Sequence, residues 1–185
     1  MSVDAMIERL IERGGGYVNH PADRGGETIW GITAAVARDE GYTGAMRAMP
    51  RSEAIRIYRQ RYWIKPRFDR VAGLSAPVAE ELFDTGVNMG PAIAAQMLQR
   101  ALNALNRQQT DYADLKVDGQ IGPATLGALQ AYLRIRGREG EAVLLTALRC
   151  LKGERYIDLA ERRPANEAFV YGWLRTRVGQ VGALA

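Results

Sequence analysis

Ile11-Glu12-Arg13-Gly14-Gly15-Gly16-Tyr17-Val18-Asn19-His20-Pro21-Ala22-Asp23-Arg24-Gly25-Gly26-Glu27-Thr28-Ile29-Trp30-Gly31-Ile32-Thr33 is the stretch that decides how this chain is read. An amphipathic segment runs into three glycines, a loop dense in Gly, Pro, Asn and Asp follows, and order resumes at Thr33. Long turn-rich loops between helices are where binding and catalytic groups tend to sit. At about 100° per residue, Val3, Met6, Ile7, Leu10 and Ile11 share one apolar face, and position 14 falls at its centre, one turn beyond Leu10. A carboxylate there would leave the last turn pointing inward and partly desolvated. Burial keeps a carboxyl protonated near neutrality, which a general acid needs. The residue in that place is Gly14. Glycines favour the end of a helix, but Gly15 and Gly16 already supply that. A third inside the last turn costs about 1 kcal/mol relative to Ala with no visible structural return. Glu8 and Glu12, interleaved with Arg9 and Arg13, read as a solvated face, and Glu12 lies roughly opposite position 14.

The 185 residues are enough for one substantial core or two small packed subdomains. Hydrophobic content of 47% and charged content of 25% are those of an ordinary globular protein. A formal charge of +4 suits an anionic partner, cell wall or nucleic acid, without choosing between them. The single Cys150 forbids an internal disulfide. One histidine, His20, makes a zinc amidase or peptidase a poor fit, so no metal and no cofactor are expected. Cys150, in an apolar run, reads as a small buried hydrophobe. With three serines and one histidine, a Ser-His-Asp triad is weakly supported too. Any chemistry on this framework is carboxylate chemistry. The first fifteen residues carry Asp4, Glu8 and Glu12, unlike a secretory signal, and no run of eighteen apolar residues exists. Synthesis in the cytoplasm without membrane insertion is therefore expected, and a wall target would require a holin or a secretion system.

Helical periodicity dominates the rest, and no stretch proposes itself as a strand of any length. After a first helix over about residues 2–13, Thr33 caps residues 34–40, a short helix spans about 43–48, and Ser52 opens residues 53–63. Arg51, Arg56, Arg59 and Arg61 lie outward there and read as a solvated face rather than an anion site. Residues 64–75 read as loop with at most a turn of helix, and Pro77 begins residues 78–88. Asp84 and Asn88, four apart, share a face; they either line a cleft or make structural hydrogen bonds. Residues 93–106, 124–133, 139–161 and 166–178 complete an all-helical second half. Phe169, Trp173 and Leu174 read as its core stripe.

The run Gly15-Gly16-Tyr17-Val18-Asn19, then Pro21, Asp23, Gly25-Gly26-Glu27-Thr28 and Gly31-Ile32-Thr33, resembles the opening signature of glycoside hydrolase family 108, phage endolysins and secreted N-acetylmuramidases. The family's signature places its catalytic Glu where this chain has Gly14. Leu82 to Gly90 resembles the segment joining the catalytic and wall-binding halves. Val117-Asp118-Gly119-Gln120-Ile121-Gly122-Pro123 and the closing Gly172-Trp173-Leu174 with Arg177 resemble peptidoglycan-binding modules. The resemblance implies an all-α, lysozyme-like fold of two intimately packed helical halves, with a catalytic half over 1–90 and a peptidoglycan-binding half over 91–180. It also implies hydrolysis of the β-1,4 bond between N-acetylmuramic acid and N-acetylglucosamine by a monomer acting on peptidoglycan glycan strands. Position 14 would hold the acid, with Glu27 or Asp84 as its partner. Tyr17, Asn19, Thr28, Trp30 and Asn88 would contact the glycan. With Gly14 in place, the expected form is a hydrolase inactivated at its acid, or a non-catalytic peptidoglycan-binding protein. A basic nucleic-acid binder is the weakest reading, because the arginines are spread along the chain.

Overall fold

The computed structural model describes residues 2–19 and 26–179. His20, Pro21, Asp23 and Gly25 of the opening loop lie outside the described residues. The chain is all-α with one two-stranded sheet, a lysozyme-like helical fold. It divides into two compact units, Met1–Ala76 and Pro77–Ala185, one helix earlier than a division at residue 90.

In the first unit, α1 (Val3–Gly14) starts at Ser2, whose hydroxyl accepts from the Ala5 amide, and buries Ile7 and Ile11. Strands β1 (Thr28–Ile29) and β2 (Ile32–Thr33) form a hairpin, pairing Thr28 with Thr33 and Ile29 with Ile32. Thr33 then caps α2 (Ala34–Asp39) by accepting from the Val36 amide. A 3-10 turn, Met46–Ala48, leads into α3 (Arg51–Arg59). This helix starts directly after Pro50, without the Ser52 cap that the sequence offers, because proline already fixes the entry backbone. It runs on into a π-helical turn, Gln60–Ile64, and then α4 (Phe68–Ala72). Ile7, Ile11, Ile32, Ala54, Ile57 and Phe68 fill the core. The outward arginines are engaged internally. Arg51 pairs with Glu8, Arg59 with Asp4, Arg56 with Glu53, and Arg61 with Asp39 and Glu40. Two of these pairs join α1 to α3, so the row is a face tied to acids and offers no open anion site.

The second unit comprises α5 (Ala76–Met89) from Pro77 onward, α6 (Pro91–Leu105), α7 (Pro123–Arg162) and α8 (Glu167–Arg177). Gly137, at φ 60° and ψ −150°, breaks α7, where the periodicity also lapses. Helix α6 packs on α7 and α7 on α8. The turn ahead of α7 is fastened by Gln99, only 1% exposed. Its amide nitrogen donates to Asp118 Oδ1 at 2.9 Å, Gln120 O at 3.0 Å and Thr125 Oγ1 at 3.2 Å, and its oxygen accepts from the Gly119 amide at 2.9 Å. Gly119 has φ 76°, and a Cβ there would lie 2.9 Å from the Ala92 carbonyl oxygen. The Asp-Gly motif thus has an architectural job, seating the loop on α6.

Two core assignments are corrected. Cys150 is exposed, because it falls on the outer face of α7. Helix α8 has no buried residue; Trp173 and Leu174 are half-buried and Phe169 is 58% exposed. The rings run from the core into solvent instead: buried Tyr156 meets Trp173 in a tilted contact at a centroid separation of 5.2 Å, and Trp173 stacks on exposed Phe169 at 6.0 Å. Periodicity located the stripe, but α8 has its packing partner on one side only, so the end of the stripe stays in solvent. Replacing Gln99 with Ala orphans one backbone donor and several acceptors. It should lower stability by about 2 kcal/mol, read as a shifted midpoint in urea denaturation.

Candidate functional site

The end of α1 and the hairpin meet backbone to backbone. A Cβ built on Gly14 would lie 2.4 Å from the Gly31 nitrogen, 2.4 Å from the Trp30 carbonyl carbon and 2.7 Å from the Trp30 oxygen. This corrects the expectation that a third glycine has no structural role. Gly14 is the seat on which the Trp30–Gly31 peptide rests. The hairpin loop has positive φ at both central residues, 55° at Trp30 and 76° at Gly31, as two-residue loops of this twist require. Glycine adopts that conformation freely. A bulky Trp does so at a cost of about 1–2 kcal/mol. Three bonds hold it: the Trp30 amide donates to Gly15 O at 3.2 Å, the indole to Met49 O at 3.1 Å, and the Tyr58 hydroxyl to Trp30 O at 3.0 Å. Burial pushes the Tyr58 hydroxyl up to about 12, so it remains a donor across the working pH range. Gly31 has no spare room either, since its Cβ would sit 2.7 Å from that hydroxyl.

Across the loop, Val18 and Thr28 exchange both backbone hydrogen bonds at 2.8 Å. This brings Tyr17 to Glu27, and the Tyr17 hydroxyl donates to Glu27 Oε1 at 2.6 Å. Glu27 is thereby held at the site by one of its two carboxyl oxygens. The Arg47 guanidinium lies over the Tyr17 ring, 4.6 Å from its centroid. Tyr17, Glu27, Thr28 and Trp30 are half-buried around the seat at Gly14, and Asn19 is exposed beyond the bridge. The structure thus gathers these residues on one loop and hairpin. Arg47 and Tyr58 join them unforeseen. Tyr58 carried only an inward-facing signal in its helix, and Arg47 carried none.

Asp84 and Asn88 belong to the second unit, on α5. The Asp84 carboxylate accepts from Lys152 Nζ at 3.1 Å and from Arg177 at 2.9 Å. Lys152 is 1% exposed and also pairs with Glu81, which in turn pairs with Arg149 at 3.3 Å. Asn88, exposed, donates back to the Asp84 carbonyl at 2.6 Å. Of the two roles open to Asp84, the geometry displays the structural one: two cations from α7 and α8 converge on it. Among the described residues no group of His, Cys, Asp and Glu is arranged to hold a metal ion.

Gly14→Ala should lower stability by about 1–3 kcal/mol through overpacking, although it returns about 1 kcal/mol of helix propensity; a rise in thermal midpoint would contradict the close approach. Lys152→Met, which removes the cation shared by Glu81 and Asp84 while leaving each its arginine, should cost about 1–3 kcal/mol in chemical denaturation.

Comparison with known proteins finds a family match for each half of the chain. Residues 7–90 match the family model described as glycosyl hydrolase 108, and residues 93–178 match that of a predicted peptidoglycan domain. A solved structure titled "Structure of Brucella abortus SagA" is similar, with a TM-score of 0.59 and 28% identity, over 90% of this chain and 94% of that chain. No curated protein matches significantly. The two domains support a role in hydrolysing or binding peptidoglycan. The two matches follow in order along the chain, which thus carries a glycosyl hydrolase 108 domain over residues 7–90 and a predicted peptidoglycan domain over residues 93–178.

Proposed function

We propose that this chain is a muramidase-type protein directed at the β-1,4 bond between N-acetylmuramic acid and N-acetylglucosamine, and that it binds the strand while its cleavage chemistry is lost at Gly14. Glycosidic cleavage of this kind needs a proton donor at the leaving oxygen and a second group that supports the oxocarbenium ion. Glu27, accepting from Tyr17, suits the second role. The donor's place in the family signature is Gly14. The observation that carries this reading is the contact of Gly14 with the Trp30–Gly31 peptide, since the hairpin occupies the space into which a side chain at 14 would project. Tyr17, Asn19, Thr28 and Trp30 offer ring faces, an amide and a hydroxyl, the groups with which proteins hold sugars. A missing general acid costs about 10²–10⁴-fold in rate and leaves such contacts standing. The site of action is the cell wall, reached by a holin or a secretion route.

The test measures reducing-end release from purified peptidoglycan and co-sedimentation with it, for the chain, Gly14→Glu and Glu27→Gln. Sedimentation without measurable cleavage is the expected result for the unaltered chain. Gly14→Glu is expected to recover cleavage only if the Trp30–Gly31 peptide gives way, so its folding is checked by the near-ultraviolet spectrum of its tryptophans. Cleavage by the unaltered chain that disappears in Glu27→Gln would overturn the reading and make Glu27 the acid.

A further inference from the structure

The break in α7 builds a second feature, unrelated to the hairpin. Where Gly137 interrupts the helix, Gly140 approaches the preceding turn so closely that a Cβ on it would lie 2.0 Å from the Arg136 Cβ. The buried Tyr132 hydroxyl donates across the break to the Gly140 carbonyl at 2.8 Å and fixes the geometry. In an unbroken helix a base and an acid three residues apart are neighbours that pair. Arg155 and Asp158, with that spacing further along α7, do so at 3.0 Å. Arg136 and Glu139 have the same spacing across the break but do not pair with each other. Among the described residues neither side chain makes a hydrogen bond, and the acid within electrostatic reach of Arg136 is Asp111, which is itself paired with Arg107. Both line a cleft of about 230 Å³ with Leu105, Tyr132, Gly140 and Val143.

The chain beside this cleft is strained. Immediately after Leu105 and Asn106, Arg107, Gln108 and Gln109 all have left-handed backbone, with φ of 53°, 58° and 65°. Each costs about 1–2 kcal/mol, and such strain collects at ligand sites. Asn106 holds the turn, accepting from the Gln109 amide at 3.0 Å and donating to Asp114 at 2.6 Å.

A cleft with Leu105 and Val143 on its walls and one charge of each sign that has no hydrogen-bonded partner among the described residues fits a small group that itself carries a carboxylate and an ammonium. Its volume is below the roughly 300 Å³ at which pockets for drug-sized ligands begin, too small for a disaccharide. Within peptidoglycan, paired carboxylate and ammonium groups belong to the stem peptide, at the free amino-acid end of its diamino acid, and not to the N-acetylated sugars. Resting on the peptidoglycan reading above, we propose that the cleft at Gly137 is a stem-peptide site: Arg136 takes the carboxylate, Glu139 the ammonium, and Leu105 and Val143 the intervening methylenes.

The test uses the full chain, with Arg136→Ala and Glu139→Ala, whose exposed side chains can be removed without opening the core. Binding is measured to a soluble stem tetrapeptide containing meso-diaminopimelate and to a glycan stripped of peptides, beside co-sedimentation with intact sacculi. The expected result is tetrapeptide binding that each variant weakens about tenfold, the loss of a charge-assisted hydrogen bond, with unchanged binding of stripped glycan. If the chain sediments with sacculi but ignores the tetrapeptide, or if the variants bind it as well as the unaltered chain does, the stem-peptide site is wrong while the peptidoglycan reading stands. If the chain fails to sediment with sacculi at all, that reading falls and the proposal with it.

Discussion

The contact between the last turn of α1 and the Trp30–Gly31 peptide governs the first unit. Two backbones can meet at this distance only where one contributes no Cβ, so Gly14 and the hairpin's position are one choice. Once the hairpin is seated there, its two-residue loop demands positive φ at Trp30. The Tyr58 hydroxyl, the Met49 carbonyl and the Gly15 carbonyl hold that strained residue down. The register that follows sets Thr28 against Val18 and so delivers Glu27 to Tyr17. A side chain at 14 and this seat for the hairpin exclude one another.

The second unit is organised by buried polarity rather than by close backbone approach. Lys152 is withdrawn from water between Glu81 and Asp84, and Arg149 and Arg177 close the network from α7 and α8. Burying charges costs more than it returns unless every partner is present, so the arrangement specifies how α5, α7 and α8 register rather than adding much stability. Gln99 performs the neutral counterpart for the turn entering α7, with each of its amide atoms satisfied. Burial pushes the Tyr156 hydroxyl beside this network up to about 12. Both polar centres join residues far apart in the chain, which is why they constrain the fold so strongly.

That distance also marks what could be read in advance. Helices were legible because apolar periodicity is local, and even the break at Gly137 fell in a lapse of that period. The hairpin residues were legible as a turn-rich loop, though its two short strands were not, since two residues leave no alternation to detect. Gly14 was misread because the atoms that require it, in Trp30 and Gly31, lie beyond a loop whose path no pattern reveals. Lys152 gave no signal, for a lysine on an amphipathic helix ordinarily faces water. Cys150 and Phe169 erred in the opposite sense. A hydrophobic residue in an apolar run is buried only if a neighbouring element covers it, and periodicity does not say where neighbours end.

The persistence of strain at the hairpin bears on what the scaffold is for. A general acid acts on the transition state, whereas ring faces, amides and hydroxyls act on the bound strand as well; removing the first leaves the second intact. Trp30 keeps its left-handed conformation because the turn it makes seats two buried residues, Ile29 and Ile32, on either side of it. Tyr58 is buried and holds the Trp30 carbonyl, and the lack of a side chain on Gly31 lets the hydroxyl reach it. The three bonds on Trp30 thus preorganise the surface around the seat, and the glycine at position 14 serves the hairpin that carries Trp30, Thr28 and Glu27.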